Sequence, residues 1–207
     1  MTELLRVHPV DPQTRLLEMA VEAIRAGAVI AYPTDSSYAL GCHLGDKAAL
    51  DRIRRIRRIE RDHDFTLVCS DLSEIATYAR VDNWAYRLLR SKTPGPYTFI
   101  LKATHGVPKR LQDPKRKSIG IRVPDHVIVR RLLSLLGEPI MSSSLLLPGD
   151  DFPLADPDEI QDRLGTQVDV IIDGGTCGVE PTTVVDLTSG KPLVVRKGKG
   201  DVAGLGA

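Results

Sequence analysis

The sequence predicts a three-layer α/β (α+β) domain, with a twisted mixed sheet of about seven strands flanked by helices. Two observations predict this class. Short apolar runs interleave with amphipathic stretches along the whole chain. Helix-capping signals recur between them, as in Asp11-Pro12 with Gly27 and Asp156-Pro157 with Gly165. A third sets the organisation: no linker, internal repeat or low-complexity tract interrupts the 207 residues. Residues 1–207 therefore read as one domain, long enough for a well-filled core.

The elements follow in order. Asp11 and Pro12 suit the start of a first helix and Gly27 its end. Leu16, Leu17, Ala20, Ala23 and Ile24 form its apolar stripe. Residues 28–32, AVIAY, read as a short strand, and PTDSSYALG as a loop. Asp46 caps a second helix, with Leu50, Ile53 and Ile56 inward and arginines on its other faces. FTLVC at 65–69 is a strand. Asp71 with Glu74 reads as a capping pair for a third helix, and Asp82 opens a fourth that Pro94 stops. YTFILK at 97–102 and SIGIRV at 118–123 are strands. An Asp125-capped helix ends at Gly137. PIMSSSL is a strand, Asp156-Pro157 begins a helix that Gly165 closes, and VDVIID, TTVVDL and PLVVR are strands.

Composition excludes several classes. No apolar run approaches the roughly 20 residues of a membrane helix, and MTELLRVHPV lacks a secretory apolar region. Cys42, Cys69 and Cys177 are sparse and unpaired in spacing, which predicts reduced thiols in a cytoplasmic protein. Net charge is +1, so the chain is no polycation. Its charge is clustered, however. Arg52, Arg54, Arg55, Arg57, Arg58 and Arg61 crowd one stretch; Lys109, Arg110, Lys115, Arg116, Lys117 and Arg122 crowd another. If the two meet in space they form an anion-attracting surface. If not, they are two solvated faces, and the sequence leaves both open.

No general catalytic motif is present. The chain has no phosphate-binding Gly-Lys-Ser/Thr loop, no G-x-G-x-x-G after the first strand, no Gly-x-Ser-x-Gly elbow and no His/Cys cluster of metal-ligand spacing. No metal site is expected. The residues alone give loops at strand ends, rich in hydroxyls and arginine, where open α/β sheets place ligands. Cys69 ends an apolar strand and reads as an inert small hydrophobe, so no nucleophile is expected.

An ordered set of segments carries a family resemblance. Tyr32-Pro33-Thr34-Asp35-Ser36-Ser37-Tyr38 is followed by Pro94-Gly95-Pro96-Tyr97-Thr98, Ile121-Arg122-Val123-Pro124 and Ser142-Ser143-Ser144. Asp173-Gly174-Gly175, Thr182-Thr183-Val184-Val185-Asp186 and Arg196-Lys197-Gly198 complete it. In this order they resemble the YrdC-like, or threonylcarbamoyl-adenylate synthase, superfamily, and most closely its YciO branch. The resemblance implies a YrdC-like fold. It also implies joining of L-threonine, bicarbonate and ATP into threonylcarbamoyl-adenylate and pyrophosphate, for tRNA threonylcarbamoyladenosine modification. ATP enters as a substrate, with Mg²⁺ carried on its phosphates.

By that resemblance Thr34, Arg122, Ser142 and Thr182 contact threonine, and Arg57, Ser118, Ser144 and Arg196 contact ATP. Arg122, on a short strand between Ile121 and Val123, needs an anionic partner. Read from the residues alone, Thr34-Asp35 also fits a hydrogen-bonded turn, Arg57 a solvated arginine, and Ser142 and Ser144 a strand end. The resemblance also implies a basic surface for tRNA or double-stranded RNA. Arg54, Arg55, Arg58, Lys109, Arg110, Lys115, Arg116 and Lys117 are its candidates, and a monomer or weak homodimer is expected.

The pattern departs from active relatives at four places. They carry K-x-R, P-L, a histidine and S-A-N. Here Arg57-Arg58-Ile59, Phe65-Thr66, Cys69 and Ser144-Leu145-Leu146 stand instead. The losses fall on the ATP side and beside the threonine pocket. They predict weak or altered synthase activity, or an RNA-binding protein with little catalysis.

Overall fold

Side chains alternate across a strand, so a sheet with apolar residues on both faces must be covered on both. The computed structural model describes residues 2–59, 65–113 and 115–205. In chain order the elements are β1 (Glu3–Arg6), α1 (Thr14–Arg25), β2 (Ile30–Tyr32), β3 (Ala39–His43), α2 (Lys47–Arg57) and β4 (Thr66–Val68). Then come α3 (Leu72–Tyr78), α4 (Asn83–Lys92), β5 (Tyr97–Lys102), β6 (Ser118–Arg122), α5 (Val127–Leu136) and β7 (Ile140–Ser144). The last are α6 (Pro157–Leu164), β8 (Val170–Asp173), β9 (Thr183–Asp186) and β10 (Leu193–Arg196). Among the described residues no helix is long and apolar enough to cross a membrane.

The sheet is mixed, as expected, but it has ten strands among the described residues rather than about seven. Their order is β1-β8-β2-β3-β7-β4-β6-β5-β9-β10. Two strands escape the sequence reading altogether. β1 gains its partner from the far end of the chain, with Leu5 opposite Ile172 on β8. β3 begins inside the stretch read as a loop and runs two residues past it. It is buried on both faces, so it shows no alternation, and Gly41 weakens its strand signal. The glycine is required by packing: a Cβ there would stand 2.8 Å from the Tyr32 ring.

Helix starts divide into kept and corrected expectations. Asp46 caps α2 through the Ala49 N–H, and Asp156 caps α6 through the Asp158 and Glu159 N–H groups. Asp71 caps α3, while Glu74 reaches back to the Ser70 N–H, one residue earlier than a capping box requires. Asp11 does not cap α1, which starts two residues beyond Pro12 with Gln13 at its N-cap; the Asp11 carboxylate faces Arg131 at 3.4 Å instead. Asp82 precedes α4 without a side-chain cap bond. Asp125 does not cap α5 either, because His126 takes that position. Gly137 ends α5 in the left-handed conformation, at φ 77°, as its position suggested.

Two cores lie on opposite sides of the sheet. On one face α2, α3, α4 and α6 cover Leu40, Leu67, Phe99, Ile119, Ile121, Met141, Ile171 and Val185. On the other, α1 and α5 cover Ile30, Tyr32, Ala39, Val68, Ile140, Val170 and Ile172. Each fully buried Leu, Ile or Val contributes about 1.5–3 kcal/mol of transfer free energy. The α1–α5 layer reaches only as far as Val68 and Ile140. Past it, the same face of β4, β5, β6, β7 and β9 opens into a cavity.

Candidate functional site

The cavity holds about 690 Å³. Strand period two builds its floor. On β6, Ser118, Gly120 and Arg122 face it while Ile121 points into the opposite core. Thr66 and Val68 on β4, Ser142 and Ser144 on β7, and Thr98 and Ile100 on β5 share that face. Thr66 stands opposite both Gly120 and Ser142, which fixes the row across three strands. A Cβ on Gly120 would meet Thr66 Oγ1 at 3.1 Å and Thr98 Cγ2 at 3.4 Å, so the floor is open there because glycine occupies it.

The hydroxyls are held in pairs. Tyr32 OH and Ser142 Oγ lie 2.6 Å apart, and Thr98 Oγ1 and Thr182 Oγ1 lie 2.9 Å apart. Burial pushes the Tyr32 hydroxyl up to about 12, partly offset by its bond to Ser142, so it stays protonated. Arg196 donates from Nε and Nη2 to the Thr182 carbonyl at 3.2 and 3.0 Å. Two residues on, Gly198 lies so close that a Cβ would fall 2.2 Å from the Pro181 carbonyl oxygen. The C-terminal segment is thereby pressed onto the cavity wall.

Arg57 closes the other side. Its Nε donates to the Leu146 carbonyl at 3.1 Å, and its Nη1 meets Ser143 Oγ. Burial lowers its basicity, which is the direction a neighbouring anion would reverse. The mouth is apolar: Phe152 is 63% exposed, Val195 55% and Val179 43%. Asp151 is the one carboxylate on the wall among the described residues.

Seven of the eight residues that the resemblance names for threonine and ATP line this one cavity: Arg57, Arg122, Ser118, Ser142, Ser144, Thr182 and Arg196. Thr34 does not. It is buried behind Arg122, and it forms the hydrogen-bonded turn that its sequence also suggested. Its Oγ1 accepts the Ser36 and Ser37 N–H groups at 3.2 and 3.3 Å and donates to the Ser37 carbonyl at 2.7 Å. The anionic partner that Arg122 requires lies within the chain: it is Asp35. Asp35, Ser36, Tyr32 and Thr98 were not singled out as site residues, although all four lie inside the motifs quoted for the resemblance. Pairing chemistry, not motif spacing, reveals them.

The four departures separate by position. Phe65 and Leu146 line the cavity, whereas Ile59 packs against the core. Cys69 is buried on the core side of β4, where desolvation pushes its thiol well above the usual range. A thiol so placed stays protonated near neutral pH.

The two basic stretches approach the same end of the sheet. α2 ends in Arg55 and Arg57, followed by Arg58, and Lys115–Lys117 lead into Ser118. Ser118 and Ser144 sit two residues from the partners of Thr66, on either side of the start of β4. Arg55, Arg58, Lys109, Lys115 and Lys117 are exposed. Arg54 is half-buried, bonded to Asp51 at 2.9 Å and stacked over Phe65 at 5.3 Å, and Arg116 lies 3.6–3.7 Å from Asp186 and Asp113. The Arg110 side chain and Arg61 lie outside the described residues. Among the described residues no group of three or more His, Cys, Asp and Glu could hold a metal ion.

Comparison with known proteins gives a consistent picture. The family model described as Telomere recombination, which groups Sua5, YciO and YrdC proteins, matches residues 22–198. The YciO protein of Escherichia coli K12 is 57% identical over 98% of each chain. A crystal structure of E. coli YciO superposes with a TM-score of 0.96, covering 99% of this chain and all of that one. A threonylcarbamoyl-AMP synthase of Vibrio vulnificus is 30% identical over 76% of this chain and 86% of its own. The Sua5 protein of P. abyssi, solved with L-threonine, superposes with a TM-score of 0.87 at 26% identity, over 95% of this chain and 58% of that one. With the family model spanning most of its length, this chain belongs to the Sua5, YciO and YrdC family.

Proposed function

We propose that the cavity binds L-threonine, bicarbonate and ATP and joins them into threonylcarbamoyl-adenylate, releasing pyrophosphate, in support of tRNA threonylcarbamoyladenosine modification. The observation that carries this reading is the convergence of Arg57, Arg122, Ser118, Ser142, Ser144, Thr182 and Arg196 on one cavity. The synthase relative and the threonine-bound Sua5 relative support it.

The chemistry asks for positioning more than for a reactive side chain. The threonine amine and bicarbonate condense to a carbamate with loss of water. A carbamate oxygen attacks the α-phosphate of ATP, and pyrophosphate leaves. Arg57 and Arg196 neutralise phosphate charge, and the paired hydroxyls orient the reactants. Arginine suits both roles through its planar donor fork. A single exposed carboxylate, Asp151, fits Mg²⁺ that arrives on the nucleotide and not a resident ion.

Leu146 puts an apolar side chain where relatives carry an amide donor. One lost charge-assisted contact costs on the order of 2 kcal/mol, or roughly thirtyfold. The reading therefore includes a slow synthase, or one that takes another amine. Pyrophosphate release from ATP, Mg²⁺ and bicarbonate, with and without threonine, tests it. Release that requires threonine is expected. Tight ATP binding with no release under any amine would remove the synthase reading.

A second reading rests on the shared end of the two basic stretches. Arg55, Arg58, Lys109, Lys115 and Lys117 suit the phosphate backbone of tRNA or double-stranded RNA, bound by shape and charge. The two readings are compatible, since the patch adjoins the cavity.

A further inference from the structure

Arg122 reaches the cavity from the last position of β6. Its guanidinium is held on one side. Nη2 donates to Thr34 Oγ1 at 3.1 Å, to Ser36 Oγ at 3.0 Å and to Asp35 Oδ1. All three acceptors lie on one turn. Two hydrogens facing three acceptors leave nothing on that nitrogen for a ligand. A ligand therefore meets the remainder of the guanidinium.

The turn is itself clamped from distant parts of the chain. Asp35 Oδ2 accepts the Asp125 N–H at 2.9 Å, just before α5. The Asp35 carbonyl accepts Lys199 Nζ at 2.5 Å. Gly178 lies against Ser36, where a Cβ would stand 2.8 Å from the Ser36 carbonyl oxygen. Arg122 Nε shares an edge of the guanidinium with Nη2, yet it is buried with no partner. The carboxylate does not close onto that edge as a fork, because its second oxygen is committed to Asp125.

We propose that Asp35 is a positioning residue of the site, whose pinned carboxylate fixes the Arg122 guanidinium so that it meets an amino-acid carboxylate in one orientation only. Asp35 does not line the cavity and touches no reactant. Its contribution is preorganisation: a free arginine would lose rotamer freedom on binding, and this one has already lost it. It also meets the charge of Arg122 within the chain. The site is thereby less of a general anion trap and more selective for shape. Removing the carboxylate charge frees a mobile cation, and binding becomes less stereoselective. This inference rests on the threonine and ATP reading of the cavity.

Calorimetric titration of L-threonine, D-threonine and ATP into the wild type, Asp35→Asn and Asp35→Glu tests it. Asp35→Asn should weaken L-threonine binding by about tenfold or more and bring the L-to-D ratio toward one. ATP affinity should stay within about twofold, which a general folding defect would not allow. Asp35→Glu restores the charge at a longer reach and should fall between. L-threonine affinity and stereoselectivity unchanged in Asp35→Asn would overturn the proposal. Should Asp35→Asn fail to fold, Asp35→Glu decides alone. A loss of about threefold or more in L-threonine affinity with ATP binding kept supports the proposal, and wild-type behaviour overturns it. A wild type that binds no L-threonine removes the functional reading and this proposal together. A wild type that binds both ligands, with unaffected variants, removes this proposal only.

Discussion

Arg57 Nε donates to the carbonyl oxygen of Leu146 at 3.1 Å and so ties the end of α2 to the chain just past β7. The cation is thereby fixed on the cavity wall. Replacing it should act on ATP more than on threonine. Arg57→Ala is expected to weaken ATP binding by roughly tenfold to thirtyfold, with L-threonine affinity changed less than about threefold. Isothermal titration of both ligands checks this, and an equal loss of both would count against the assignment.

Gly120 keeps the cavity floor open. Gly120→Val places branched carbons against Thr66 and Thr98, which a Cβ alone already approaches at 3.1–3.4 Å. The expected outcome is loss of both ligands, by about tenfold or more, with a folded protein by circular dichroism. Ligand binding at wild-type strength would show that the ligands sit elsewhere.

The hydroxyl of Tyr32 serves Ser142 inside a fully buried ring. Tyr32→Phe should cost about 1 kcal/mol, since it removes one buried hydrogen bond and leaves Ser142 without that partner. Urea unfolding measures it. No change in the midpoint would show that Ser142 finds another acceptor or donor.

Stability should fall in alkali. Burial raises Tyr32 and Cys42 to about 12 each, and it pushes Tyr38 and Cys69 upward as well. The folded state therefore keeps protons that the unfolded state releases at the ordinary values of 9.0 and 10.0. With the folded state binding more protons, stability is full below the unfolded values and is lost as pH rises through the folded ones. The urea midpoint should drop between about pH 9 and 12. The drop should be shallower in Cys42→Ala, and an identical slope in that variant would remove Cys42 from the account.

Salt separates the RNA reading from the enzyme reading. A variant with Lys109, Lys115 and Lys117 changed to Gln should bind double-stranded RNA more weakly. Its salt dependence should be shallower by up to about 0.9 in log–log slope for each lost phosphate contact. Pyrophosphate release should be unchanged, because these side chains do not line the cavity. RNA affinity that ignores salt would remove the electrostatic interface.

Local rules explain how much was legible. Asp46, Asp156 and Gly137 act at their own helix ends, so a few neighbouring residues determine them. The alternation in Ser118-Ile119-Gly120-Ile121-Arg122 determines which side chains share a face, and it puts Ser118 and Arg122 together before any fold is known. Asp11 and Asp125 misled for the opposite reason. Each carries a capping side chain, but Asp11 faces Arg131, and the Asp125 backbone is held by Asp35.

The sequence by itself determined the class of fold, the family, and seven of the side chains that line the cavity, because those depend on short-range pattern and on an ordered set of motifs. Only the tertiary structure decided that the sheet has ten strands among the described residues, since β1 gains its identity from β8 across the length of the chain. Only it decided that Thr34 stands behind the site and that Asp35 holds Arg122. Those outcomes depend on which buried charge and which N–H lie within hydrogen-bond reach. Residues 35, 122 and 125 come that close because β6, α5 and the turn after β2 are packed against one sheet.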